Sequence, residues 1–206
     1  MKKKPHSKTI IDQHWNAFQG FINRCTQSGN QEFAVIKSYF HVETYKKGEH
    51  YTQLGMVSRK LGFLSEGIAR TYFIDNNARE ITRRLAIAPT MASALKSFLT
   101  QKVSNENIIF LEDSVVLSID YQNDQKLIRE SAVYSQFRRI GIEFSLVEML
   151  NYFEIFLTED AEQRYLMILN SYPEIVQRIP LHYLASLLGI TPHSLSRIRK
   201  KIAKGH

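Results

Sequence analysis

The sequence predicts an α+β chain: an antiparallel β-roll with flanking helices, then a long helix, then a small C-terminal helical unit. Three observations predict it. Apolar residues recur at helical spacing near the start. They give way to short Tyr-, Phe-, Ile- and Val-rich segments between turn signals from His41 to about Asp120. Helical spacing then returns and holds to the end.

Taken in order, Ile10, Ile11, His14, Trp15, Phe18, Phe21, Ile22 and Cys25 fit one helical face, and Gly29 ends that pattern. A short second helix runs through Phe33, Ile36 and Phe40. Lys47-Gly48 and Asp75-Asn76-Asn77 are the clearest turns beyond it, since Gly and Asn tolerate positive φ. Arg70-Thr71-Tyr72-Phe73-Ile74, Asn107-Ile108-Ile109-Phe110-Leu111 and Val115-Val116-Leu117-Ser118-Ile119 read as strands, and such spacing predicts a roll.

A long helix is predicted over 135–157, with two apolar stripes. Phe137, Ile140, Phe144 and Val147 form one; Leu146, Met149, Leu150, Phe153 and Leu157 form the other. A helix apolar on two sides buries both. One side is expected to cover its own roll and the other, placed on the Phe137 stripe, to meet a second copy of the chain. Thr158 reads as the N-cap of the next helix, with Glu159 and Asp160 in its first turn. That helix passes through Tyr165, Leu166 and Leu169 and ends before Pro173. One more turn follows near Ile175, and Pro180 opens the last unit.

Composition bounds the function. The 206 residues are 44% hydrophobic and 23% charged, enough for one domain with a sizeable core and a small second one. The net charge of +7 favours an anionic partner such as nucleic acid. A lone cysteine, Cys25, excludes an intrachain disulfide framework and a cluster held by four cysteines of one chain. A reducing cytoplasm fits that usage. No apolar run of about 18 residues predicts a membrane span. The basic start Met1-Lys2-Lys3-Lys4-Pro5 lacks an uninterrupted apolar stretch behind it, so it reads as a solvated end and not a signal peptide.

The chemistry sits in Leu184-Ala185-Ser186-Leu187-Leu188-Gly189-Ile190-Thr191-Pro192-His193-Ser194-Leu195-Ser196-Arg197-Ile198-Arg199-Lys200. Leu184, Leu187 and Leu188 give a first helix its apolar face, and Ala185 lets a second helix pass close by. Gly189 supplies a left-handed turn. Thr191 caps the second helix, and Pro192 at its first position gives up an N–H that would be unpaired anyway. Leu195 and Ile198 face back to the first helix. This is a helix-turn-helix with a polar, basic outer face, the kind that enters the DNA major groove. The expected contact set is Thr191, His193, Ser194, Ser196, Arg197, Arg199, Lys200 and Lys201. Arg197 is assigned to a base edge, with His193 and Ser194 beside it, because an arginine fork matches guanine. Lys200 and Lys201 are assigned to phosphate. No acidic residue follows Glu174, while Arg178, Arg197, Arg199, Lys200, Lys201 and Lys204 do, a field of one sign that draws phosphates.

Those residues, with Arg164-Tyr165-Leu166, Tyr172-Pro173-Glu174 and Arg178-Ile179-Pro180 before them, resemble the Crp/Fnr family of regulators, in particular its Bacteroidetes-type branch. The resemblance is strong over about the last fifty residues. Upstream it is collinear but weaker, through Lys47-Gly48-Glu49, Ser65-Glu66-Gly67-Ile68-Ala69-Arg70, Arg79-Glu80-Ile81-Thr82 and Ser97-Phe98-Leu99. It implies a cyclic-nucleotide-binding-like roll (a double-stranded β-helix) over 1–134, a dimerisation helix over 135–157 and a DNA-binding domain over 158–206. It also implies a homodimer, double-stranded DNA and RNA polymerase as partners, and a near-palindromic operator.

Departures from that family qualify what it implies. Its nucleotide-binding members carry Gly-Glu and a later Arg in a short cassette, for the ribose hydroxyl and the cyclic phosphate. The collinear stretch here, Ala88 to Phe98, has neither; Lys96 is its one cation, and Arg83 and Arg84 lie on a neighbouring strand. Control by cyclic AMP is therefore not expected, no cofactor is expected, and the effector is left open. A β-hairpin wing is not expected between Tyr172 and Pro180. The alternative is a cupin-like metal-dependent enzyme, which would need clustered histidines with a glutamate. His41 and His50 lie nine apart and His14 sits on a helical stripe, so the spacing is poor. Glu112-Asp113 reads as a turn and not as an acid/base pair, and no phosphate loop or nucleophile motif occurs. No catalytic or metal residue is assigned.

Overall fold

The structure, a computed structural model, describes residues 8–204. The N-terminal lysines lie outside the described residues. Helices α1 (Lys8–Asn23) and α2 (Asn30–Tyr39) precede eight strands: β1 (His41–Tyr45), β2 (His50–Thr52), β3 (Lys60–Glu66), β4 (Ile68–Ile74), β5 (Glu80–Ile87), β6 (Thr90–Ala92), β7 (Asn107–Phe110) and β8 (Ser114–Asp120). Helix α3 (Leu95–Thr100) lies between β6 and β7. After β8 come α4 (Tyr121–Glu130), α5 (Ala132–Thr158), α6 (Ala161–Ser171), α7 (Pro173–Arg178), α8 (Leu181–Leu187) and α9 (Pro192–Ala203). The strands form two four-stranded sheets, ordered β1-β8-β3-β6 and β2-β7-β4-β5. The α+β roll that the periodicity predicts is the roll observed.

By packing, the chain forms two units. One comprises the chain up to Ala69 together with Ala86–Phe144; the other comprises Arg70–Leu85 and the chain from Ser145 onward.

In the first unit, register decides which side chains point where. Opposed residues share a face. Thus Glu43, Leu64 and Val116 share one face, with Gly62 and Ser118. The other face of the same sheet carries Leu61, Phe63, Leu117 and Ile119, which pack against Trp15, Phe18, Ile22 and Ile36 of α1 and α2. Phe18 is the centre of that layer, with ring centroids 4.8 Å from Phe40 and 4.9 Å from Phe63.

The inner face closes on itself. Leu64, Ile108, Phe110 and Val116 form a buried cluster with Tyr45 and Tyr51 packed on it. The Tyr45 and Phe110 centroids are 4.5 Å apart, and Tyr51 stands edge-on 5.8 Å from Tyr45. Gly62 makes the room: a Cβ there would lie 2.6 Å from the Tyr51 hydroxyl and 2.6 Å from Val116. Tyr51 shares a 3.0 Å hydrogen bond with Ser118. Burial raises the Tyr51 pKa well above the ordinary phenol range. Glu43 pairs with Lys60 and accepts a 3.0 Å bond from the Tyr45 hydroxyl. Burial alone would raise its pKa, but hydrogen bonds from Lys60, Ser118 and Tyr45 outweigh that and hold it below the usual carboxylate range. Lys96, in the stretch collinear with the nucleotide cassette, is exposed.

Four expectations are corrected. Positive φ in the β4–β5 turn falls on Ala78 (φ 59°) and not on an asparagine. Asp75 holds the turn by accepting from the Asn77 and Arg79 amides, so its carboxylate and not an Asn backbone shapes the loop. Helix α5 begins at Ala132, three residues earlier than predicted, with the Ser131 hydroxyl accepting from the Tyr134 amide. Its last residue is Thr158, whose hydroxyl turns back to the Glu154 carbonyl; the cap of α6 is Asp160, which accepts from the Gln163 amide. Phe137 does not belong to an open seam. It is 3% exposed and packs in the core of its own unit, beside Tyr134. Asp124, fully buried, fixes this start of α5 by accepting from the Tyr134 hydroxyl at 2.6 Å and Arg138 Nε at 2.7 Å.

Beyond that anchored start, α5 exposes apolar side chains. Leu146 (51%), Leu150 (57%), Phe153 (63%) and Leu157 (69%) are all more than half exposed. Their spacing of four, three and four is that of a two-helix seam. Among the described residues no helix is long and apolar enough to cross a membrane.

Candidate nucleic-acid interface

The second unit is built around the α8–α9 pair. Leu184, Ala185, Leu188 and Leu195 are buried at 0–1% exposure and hold the two helices together. Gly189 takes φ +72°, and the Ile190 amide reaches back 3.0 Å to the Ala185 carbonyl, which closes the end of α8. Space as well as φ selects glycine there, because a Cβ would meet the Phe156 ring at 3.0 Å. Arg164 reinforces the turn from outside by stacking on Phe156 at 4.5 Å and donating to the Leu188 carbonyl at 3.0 Å. The predicted Thr191 cap is present: its hydroxyl accepts from the Ser194 amide at 3.1 Å, and Pro192 follows as the first helical residue.

The expected contact residues separate into three groups. His193, Arg197 and Lys200 are exposed along one side of α9. Thr191, Ser194 and Ser196 are engaged locally: Thr191 and Ser194 share hydroxyls at 3.0 Å, and the Ser196 hydroxyl donates to the Pro192 carbonyl. Arg199 and Lys201 are tied to neighbouring helices. Arg199 donates to the Val176 carbonyl at 3.2 Å with its guanidinium 5.6 Å from the Tyr165 ring centroid. Lys201 pairs with Glu162 at 2.8 Å, a contact that raises its pKa. The helical period carries the signal for Arg199. Four residues past Leu195, it lies on the inward side with Ile198 and Ile202, whereas Arg197 lies opposite. The segment Tyr172 to Pro180, where a winged relative would place a hairpin, forms α7.

Residues outside the expected set also shape the unit. Arg70 is 1% exposed, lies with the C-terminal helices, and stacks on Tyr183 of α8 at 3.9 Å. Nothing in the sequence signals this, because Arg70 and Tyr183 lie far apart along the chain.

No protein-family model and no curated protein matches the sequence. Solved structures do. The catabolite activator protein of Thermus thermophilus is similar with TM-score 0.55 and 19% identity, over 86% of this chain and 84% of that one. FixK2 from Bradyrhizobium japonicum gives 0.68 and 11%, over 81% and 85%. The global regulator CLP of Xanthomonas campestris gives 0.65 and 16%, over 86% and 93%. The class is therefore settled at the level of architecture: a β-roll, a long helix and a C-terminal helix-turn-helix. The chain has the fold of the Crp/Fnr transcription regulators.

Proposed function

We propose that this chain is a DNA-binding transcription regulator of the Crp/Fnr type that grips a near-palindromic operator as a homodimer and is not controlled by cyclic AMP. One observation carries the reading: a Thr191-capped helix, mounted on α8 through the Gly189 turn, presents His193, Arg197 and Lys200 outward. Arg197 reads a base edge, Lys200 meets phosphate, and the positive end of α9 at Thr191 adds to the attraction. Thr191, Ser194 and Ser196 act mainly by fixing the start of the helix; Arg199 and Lys201 act by bracing it. RNA polymerase is the further partner that such a regulator implies.

The dimer reading rests on the Leu146, Leu150, Phe153 and Leu157 seam. A second copy is the occupant whose face matches it, because a twofold axis makes the same stripe self-complementary. The reading on cyclic AMP rests on the roll's interior. Tyr45, Tyr51 and Phe110 pack together on its inner face, and Glu43 already pairs with Lys60. A cyclic phosphate brought inside would need a matched cation and donors to offset its desolvation. Neither Arg nor Gly-Glu stands between Ala88 and Phe98, and Lys96 points to solvent.

Selection of bound duplexes from a random pool tests the DNA reading. The enriched sequences should contain two inverted half-sites centred about 34 Å, one turn of DNA, apart. Arg197→Ala should cost about 1–3 kcal/mol on the selected duplex and relax preference at one base per half-site. A pool that shows no enriched symmetric sequence counts against the proposal. Calorimetry with cyclic AMP tests the other part, and micromolar binding would overturn it.

A further inference from the structure

We propose that the β4–β5 hairpin is a working part of the DNA-binding unit, and that Arg70, Thr82, Tyr183 and Ser186 form a clasp that positions α8, and with it α9, for DNA. The inference rests on the DNA reading above and adds positioning residues to it.

The clasp begins with an edge. Strand β5 is the last strand of its sheet, so one side of its backbone has no strand to pair with. Ser186 of α8 closes that side. Its hydroxyl accepts from the Thr82 amide at 2.9 Å and donates to the Glu80 carbonyl at 3.2 Å. A single helix hydroxyl thus satisfies one donor and one acceptor of the open strand.

Beside it lies a buried cation. Arg70 extends from β4 with its guanidinium between the rings of Tyr72, at 4.4 Å, and Tyr183, at 3.9 Å. Its Nε donates to the Thr82 hydroxyl at 2.9 Å and its Nη1 pairs with Glu80. A desolvated guanidinium is costly unless it is paired, hydrogen-bonded and stacked. Three of these partners come from the hairpin, but one face of the stack comes from α8. The arginine is fully sheltered only with α8 in this position.

The clasp touches α8 at Tyr183 and Ser186 and leaves the outward side chains of α9 exposed. Leu184, Ala185 and Leu188 face the other way, towards α9. The first helix of the motif is therefore gripped on two sides, and the reading helix takes its orientation from it. His193, Arg197 and Lys200 stay open to solvent with the clasp closed, so the proposed clasp is one that favours binding.

The test uses the full chain and the duplex selected above. Ser186→Ala and Tyr183→Leu are compared with Ser186→Thr and Tyr183→Phe, which keep the hydroxyl and the ring. Thermal melting and circular dichroism identify folded variants; Ser186→Ala removes one half-buried hydroxyl, so it is the variant that decides if Tyr183→Leu unfolds. Loss of the clasp should weaken binding about tenfold, on the scale of one or two hydrogen bonds per DNA-binding head. The dependence of affinity on salt should keep its slope, because the same phosphates are met. The conservative variants should retain wild-type affinity. Unchanged affinity of folded Ser186→Ala, tighter binding, or a reduced salt slope would overturn the clasp. A wild-type chain that binds no duplex at all would instead overturn the DNA reading.

Discussion

Replacing Leu150 by Glu should split the proposed dimer. Leu150 is 57% exposed on α5, and Leu146, Phe153 and Leu157 beside it are 51–69% exposed. Fully burying a Leu or Phe side chain is worth about 1.5–3 kcal/mol, so each of these gains roughly 1–1.5 kcal/mol from the area still open. Summed over both chains, the seam offers on the order of 10 kcal/mol before the cost of association is subtracted. Leu150→Glu removes that gain twice and faces two carboxylates across a twofold axis, each with a desolvation cost of several kcal/mol. A loss of about 6 kcal/mol corresponds to a dissociation constant raised roughly 10⁴-fold. Sedimentation equilibrium at micromolar protein measures it directly. The wild type should sediment as a dimer and Leu150→Glu as a monomer, while Asn151→Glu, one residue off the seam, should remain dimeric. A wild-type monomer, or a Leu150→Glu dimer of normal affinity, would refute the reasoning. Ile140→Asp is a less direct probe, because Ile140 is half-buried near the start of α5, next to the anchored Phe137 and Arg138.

Three further outcomes are expected. Gly62→Ala should cost about 1–3 kcal/mol in urea unfolding, since its new methyl meets Tyr51 and Val116; a neutral substitution would mean that Tyr51 is not seated inside the roll. Glu43 has a folded pKa below its ordinary 4.5, so its contribution to stability is present above that pH and is lost as pH falls through the folded value. Stability measured from pH 6 down to 3 should therefore fall less steeply for Glu43→Gln, and identical profiles would remove the inferred network. Arg199→Ala should lower the melting temperature while keeping base preference, the reverse of Arg197→Ala; a change of base preference would place Arg199 on the DNA.

What was legible in the sequence was local. Thr191, Pro192, Gly189 and Leu195 lie within a few positions of one another, and each is selected by a backbone need that its neighbours define: a cap, a missing N–H, a positive φ, an inward face. The roll was legible as period-two segments and turns. The side of α5 that faces its own core was not, because two apolar stripes on one helix carry no phase that distinguishes core from partner. Phe137 and Phe153 are the same residue type on the same helix, yet one is 3% and the other 63% exposed. Thr158 and Asp160 are both good caps, and only the continuation of α5 through Thr158 decides between them.

The hairpin shows a different limit. Period and turn signals locate β4 and β5, but they cannot say that β5 ends its sheet, since strand order is set by pairings distant in sequence. Once β5 is an edge, its open amides and carbonyls require cover, and the covering group need not be near in the chain: Ser186 lies 106 residues from Glu80. Arg70 carries the same lesson in charge. A strand arginine normally reads as a solvated residue, and its burial follows only from two tyrosines, one of them on α8. The residues that make the second unit one body are thus those whose partners lie farthest away in sequence, whereas the residues proposed to meet DNA are set by the turn beside them. That difference explains why the helix-turn-helix could be read from the chain and its support could not.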